Sequence, residues 1–117
     1  MQVDAYPHEG ITELFKALSD PTRLRILALL LLHTGELCGC EVESTLGITQ
    51  TRASRALTTL RRAGLVAARR DGAWVHHAVT PQPQGLVKAV LAGLRQSLAD
   101  DPVVQADVAN LKRMCCE

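Results

Sequence analysis

Cys38 and Cys40, separated only by Gly39, stand just ahead of a polar, arginine-bearing run, Thr49-Gln50-Thr51-Arg52-Ala53-Ser54-Arg55. Thiolates select soft ions over hard ones, so a closely spaced pair is a candidate ligand set for a soft metal or metalloid. Residues two apart on an ideal α-helix point about 200° apart around its axis, so the two sulfurs cannot meet on one ion while both lie in regular helix. Gly39 lowers the cost of leaving helical dihedrals, and ion capture is expected to pull or melt the start of the helix that carries the pair. Cys115 and Cys116 are the only other thiols in the chain. They are candidates to complete the site, within one subunit or across a dimer, or to form a second dithiol site of their own. A small buried hydrophobe is the plainer role for Cys115, which falls on an apolar helical stripe.

The arginines carry a second chemistry. Net charge is only +1, yet residues 47–80 hold six arginines against the single acid Asp71, while residues 1–46 hold three basic and seven acidic side chains. Attraction to phosphate depends on such local fields, not on the total. Gln50, Thr51, Arg52, Ser54 and Arg55 cluster in the first turns of a helix, where Arg can pair with guanine, Gln with adenine, and Ser or Thr with base or phosphate. Arg61 and Arg62 suit phosphates or a partner's surface, and Arg69 and Arg70 suit the DNA backbone or minor groove. An ordinary solvated face is the alternative, and the lack of interleaved acids weighs against it.

The elements that must position these residues follow from the helix punctuation. At 117 residues the chain suits one domain with a modest core. A hydrophobic content of 47% with one Trp, one Tyr and one Phe implies an interior of Leu, Val and Ala on packed helices. A first helix is predicted over Ile11 to Leu18. Asp20 and Pro21 cap and open a second to about His33, with Gly35 placed for a left-handed cap. A third is predicted over Cys40 to Leu46, closed by Gly47, and a fourth, capped by Thr49, over Gln50 to Ala63, ended by Gly64. Leu65 to Arg70 and Ala73 to Thr80 alternate around Asp71-Gly72, a two-residue hairpin signal. Leu86 to Leu98 is amphipathic, and Asp101-Pro102 opens a last helix whose apolar positions Val104, Val108 and Leu111 continue to Cys115. The sum is a mainly α winged helix-turn-helix with a β-hairpin wing, ordered α-α-α-α-β-β-α-α, a single domain over 1–117 with dimerisation helices at about 11–18 and 86–114. The longest apolar run, Ile26 to Leu32, falls short of the roughly 20 residues that span a bilayer, and the amino terminus lacks a basic signal region, so a soluble cytoplasmic protein is expected.

From Leu18 to Val79, a little over half its length, the chain resembles the ArsR/SmtB family of winged-helix, homodimeric repressors that sense metals and metalloids. The residues that carry the likeness are Leu18-Ser19-Asp20-Pro21-Thr22-Arg23-Leu24-Arg25-Ile26-Leu27, Glu36-Leu37-Cys38-Gly39-Cys40, Gln50 with Ser54 and Leu57, Leu60-Arg61-Arg62-Ala63-Gly64-Leu65-Val66, and Arg69-Arg70-Asp71-Gly72 with Trp74. The resemblance implies a repressor that binds double-stranded operator DNA at an imperfect inverted repeat and leaves it when an ion binds. In the arsenic-responsive branch the thiol segment reads Glu-Leu-Cys-x-Cys-Asp-Leu-x-x-type with a third cysteine three positions after the second. Here Cys38 and Cys40 match, Glu41 replaces Asp, and Glu43 stands at the third thiol position. The implied inducers are As(III) or Sb(III), whose pyramidal centres take three sulfurs, so one of Cys115 and Cys116 is expected to join Cys38 and Cys40 as a ligand. Methylarsenite, cadmium and lead remain open through the same thiols. The family usually carries His in the recognition helix where this chain has Ala56.

Other function classes fit less well. The zinc-responsive branch places Asp and His pairs on the helix equivalent to Leu86–Leu98, which here contains no His, Asp, Glu or Cys. His76 and His77 alternate on a strand and face opposite ways, so they do not form a ligand pair. No Cys-x-x-Cys, glycine-rich cofactor loop or nucleophile with a base is present, which argues against an enzyme. A winged-helix regulator answering to thiol oxidation is the remaining alternative.

Overall fold

The computed structural model describes residues 9–33 and 35–112. The chain runs α1 (Glu9–Leu18), α2 (Pro21–Leu32), β1 (Leu37–Cys38), α3 (Gly39–Leu46), α4 (Gln50–Arg62), β2 (Val66–Asp71), β3 (Trp74–Val79), α5 (Gly85–Leu98) and α6 (Pro102–Ala109). This is the expected winged helix-turn-helix, mainly α with a small antiparallel sheet. Cys115 and Cys116 lie outside the described residues. No helix among the described residues is long and apolar enough to cross a membrane.

Helix α2 is the central element. Its Asp20 N-cap accepts a hydrogen bond from the Arg23 amide at 2.9 Å, and Pro21 opens the first turn with the φ a helix needs. Ile26 to Leu31 are all buried, so this helix is wrapped on every side. Arg23 binds it to α1 by donating from Nε to the Ala17 carbonyl at 2.8 Å and from Nη2 to the Lys16 carbonyl at 2.9 Å. These bonds satisfy orphan carbonyls at the end of α1 and place a cation at the negative end of its dipole. Arg25 performs the equivalent task for α6, gripping Asp107 at 2.7 and 2.8 Å. The core around α2 gathers Leu14 of α1, Leu37 of β1, Val42 of α3, Leu57 and Leu60 of α4, Leu65, and Leu91 of α5. Truncating one such leucine to alanine costs about 2–5 kcal/mol.

Four expectations are corrected. A two-residue strand, β1, precedes α3 and pairs antiparallel with β3, so the sheet has the order β1-β3-β2. Two residues are too few to register as an alternating pattern. The hairpin turn is shifted by one: Asp71 pairs with Trp74, leaving Gly72-Ala73 as the loop. Gly72 alone takes a positive φ, at 62°, as a turn with glycine first requires. Helix α2 ends on His33 in an extended conformation, and Gly35, although at φ 97°, is not its cap. Helix α6 stops at Ala109 with Asn110 as C-cap, so Leu111 lies beyond it. The caps at Thr49 and Gly47 stand as expected: Thr49 Oγ1 accepts from the Arg52 amide at 3.1 Å, and Gly47 is left-handed at φ 67°.

Candidate thiol site and nucleic-acid interface

Cys38 is at once the last residue of β1 and the N-cap of α3, with extended dihedrals of φ −78° and ψ 162°. The helix begins at Gly39, one residue before the predicted start at Cys40, so Cys38 is outside it as that range had it, and the condition that both thiols lie in regular helix is not met. What holds Cys38 is a capping box, with sulfur in the place usually taken by a hydroxyl. The Cys38 amide donates to Glu41 Oε1 at 3.0 Å, and Glu41 is only 4% exposed. Strand pairing sets Leu37 opposite His77 and Cys38 opposite His76. Cys38 is buried and Cys40 half-buried, and no disulfide joins them. The glutamate three residues after the first cysteine was a readable capping-box signal; the strand partner was not.

Both thiol residues line a cleft of about 420 Å³ between α3, α4 and β3. Ser54, Leu57 and Arg61 of α4 form one wall, and Trp74, Val75 and His77 of β3 form the other. His77 is buried, and its Nδ1 meets no hydrogen-bond partner among the described residues. Burial, then the nearby charges of Arg61 and His76, push its pKa below the usual histidine value. Among the described residues no group of three or more His, Cys, Asp or Glu stands ready to hold a metal ion. Two thiols are donors of the kind a soft ion takes.

Helix α4 separates its faces cleanly. Ala53, Ala56, Leu57 and Leu60 are buried, at the i, i+3, i+4, i+7 spacing of an inward stripe. Gln50, Thr51, Arg52, Ser54, Arg55, Arg61 and Arg62 are all exposed, as are Arg69 and Arg70 on β2. Position 56, where histidine is the family's usual residue, faces the core, so alanine there changes packing and not the exposed reading surface. Two of the arginines are engaged within the chain. Arg52 Nη2 donates to Thr22 Oγ1 at 2.9 Å, which braces α4 against the start of α2. Arg69 is held by Glu36, with Nη2 to Oε1 at 2.7 Å and Nε to Oε2 at 3.0 Å. Glu36 lies just before β1, so this ion pair ties the wing to the thiol segment.

A basic, exposed recognition helix behind a tight turn, flanked by a hairpin wing, defines a winged-helix DNA-binding protein. The family of bacterial regulatory proteins known as the arsR family matches residues 20–68. The chain is 41% identical over 105 residues to the arsenical resistance operon repressor of Escherichia coli, covering 89% of this chain and 86% of that protein. Among solved structures, HlyU from Vibrio cholerae is 32% identical with a TM-score of 0.64, over 78% of this chain and 94% of that one. The homodimeric winged helix-turn-helix domain of Mb0332 from Mycobacterium bovis is also 32% identical, with a TM-score of 0.63, over 80% of this chain and 81% of that one. The chain belongs to the ArsR family. It is an ArsR-type transcriptional repressor and not an enzyme.

Proposed function

We propose that this chain represses an arsenic-resistance operon as a homodimer, and leaves an imperfect inverted repeat when arsenite or antimonite is captured by Cys38, Cys40 and a tail thiol. The observation that carries this reading is the shared cleft, which both thiols line together with residues of the recognition helix and the wing strand. The name of the Escherichia coli relative supports the arsenical inducer. The homodimeric relative supports the dimer, as does the apolar surface left on the terminal helices, where Phe15 is 53% and Val103 54% exposed. A repressor of this kind works in the cytoplasm.

The mechanism is a competition at the N-cap of α3. A sulfur drawn onto an ion leaves the capping box with Glu41 and loads the β1–β3 pairing, both of which position α4 and the wing. Losing an N-cap costs about 0.5–2 kcal/mol, within the roughly 1–3 kcal/mol of a typical allosteric coupling, which lowers DNA occupancy about 5- to 150-fold. Gln50, Thr51, Arg52, Ser54 and Arg55 read base edges, with Arg61, Arg62, Arg69 and Arg70 on phosphates. Titration of the reduced protein on promoter DNA with arsenite, antimonite, methylarsenite, cadmium and zinc tests the reading. Release by arsenite and antimonite at the lowest concentrations is expected; indifference to both overturns it.

A further inference from the structure

The cleft that contains the thiol pair is larger than a bare ion requires. Its volume of about 420 Å³ lies within the roughly 300–1,000 Å³ of small-molecule sites. Apolar residues line it from both neighbouring elements, Ala53 and Leu57 from α4 and Trp74 and Val75 from β3. Such a lining gains by taking carbon surface out of water, and a lone ion offers none.

The sulfurs in the same cleft number two, those of Cys38 and Cys40. Beside them the cleft offers the carboxyl of Glu43, whose Oε2 lies 3.6 Å from the place that a Cβ on Gly39 would occupy. Carboxyl oxygen suits hard ions, whereas thiolate suits soft ones. Among the described residues no three His, Cys, Asp or Glu side chains come together to hold an ion. Two sulfurs do suffice for a trivalent arsenic whose third bond is already made to carbon.

We infer that this cleft is a site for trivalent organoarsenicals with one carbon substituent, an aryl group being preferred over methyl. Both thiols bind the arsenic, and the ring packs against Trp74 and Leu57. This deepens the proposed function and rests on its thiol pair. Chemically, R–As(OH)₂ exchanges two As–O bonds for two As–S bonds, and the two thiol protons leave with the hydroxides as two waters. The As–C bond stays intact, arsenic stays trivalent, and no oxidant or reductant is needed. A pair of aromatic rings in contact is worth about 2- to 12-fold in affinity beyond the area it buries, which sets the scale of the preference owed to Trp74.

The full chain with Cys115→Ser and Cys116→Ser keeps Cys38 and Cys40 as its only thiols. Affinities of this reduced protein for phenylarsenous acid and methylarsenous acid are measured beside those of dithiothreitol, which has two thiols and no cleft. The phenyl-over-methyl ratio of the protein is expected to exceed that of dithiothreitol about 2- to 12-fold. Trp74→Ala in the same background should bring the ratio down towards the dithiothreitol value and leave methylarsenous acid binding unchanged. A ratio equal to that of dithiothreitol with Trp74 in place overturns the inference, and this comparison stands whether or not the Trp74 variant folds. So does a raised ratio that Trp74→Ala leaves untouched. Failure of both arsenicals to bind overturns the thiol pair as a site, and with it the proposed function.

Discussion

Glu36 grips Arg69 through a forked ion pair whose shortest contact is 2.7 Å, and thereby fastens the residue before β1 to the wing. The pairing lowers the Glu36 pKa chiefly through the Arg69 hydrogen bond. Both side chains are exposed, so the pair adds little stability. Its consequence is electrostatic, since it occupies one of the cations suited to phosphate. Glu36→Gln is expected to tighten operator binding a few-fold at low salt and to steepen the log affinity against log salt slope by about two units, roughly one for each protomer of the dimer. Fluorescence anisotropy across a salt series measures both.

The arginines of α4 and the wing divide by role. Arg55→Ala should cost about 1–3 kcal/mol on the operator and relax base preference, because its side chain stands exposed in the first half of the recognition helix. Arg62→Ala, at the other end of α4, should weaken specific and random DNA alike and leave the base preference unchanged. Binding to operator variants with single base changes separates the two.

Arg25 and Asp107 tie α2 to α6. Removing Arg25 leaves a carboxylate at 6% exposure without its bidentate partner, and Arg25→Met should lower stability by about 1–3 kcal/mol. The Arg25 side chain is itself 40% exposed, which keeps the loss below that of a fully buried pair. Urea denaturation measures it.

His77 sets a pH dependence. Its pKa is depressed from the ordinary 6.5, first by burial and then by Arg61 and His76. A group with a depressed folded pKa takes up more protons when unfolded, so its contribution to stability is fully present above pH 6.5 and is lost as pH falls through the lower folded value. The thermal midpoint should fall on acidification below that point. His77→Leu should flatten this slope without loss of stability at pH 7.5, because the buried Nδ1 has no partner among the described residues to forfeit.

Much of this architecture was legible in the residues. Asp20-Pro21, Thr49, Gly47 and Asp101-Pro102 mark helix ends because capping groups and left-handed glycines act locally. Long-range pairings were not legible. The Cys38 to His76 register, the Glu36–Arg69 bridge and the Thr45–Lys112 bond join segments tens of residues apart, and nothing local announces them. The thiol pair was recognised by spacing, but its placement at the strand-to-helix junction depended on a two-residue strand that only its partner strand defines. The same junction changes the expected switch from uncoiling of a helix to loss of a cap.

Trp74 is the chain's single tryptophan and lines the cleft with both thiols. The most direct test of the switch is a paired arsenite titration of the reduced protein on operator DNA, following Trp74 fluorescence and DNA release together. The two signals should change with one midpoint, and Cys38→Ser with Cys40→Ser should abolish both. Release of DNA with Trp74 undisturbed, or release that persists in the double serine variant, would contradict the account.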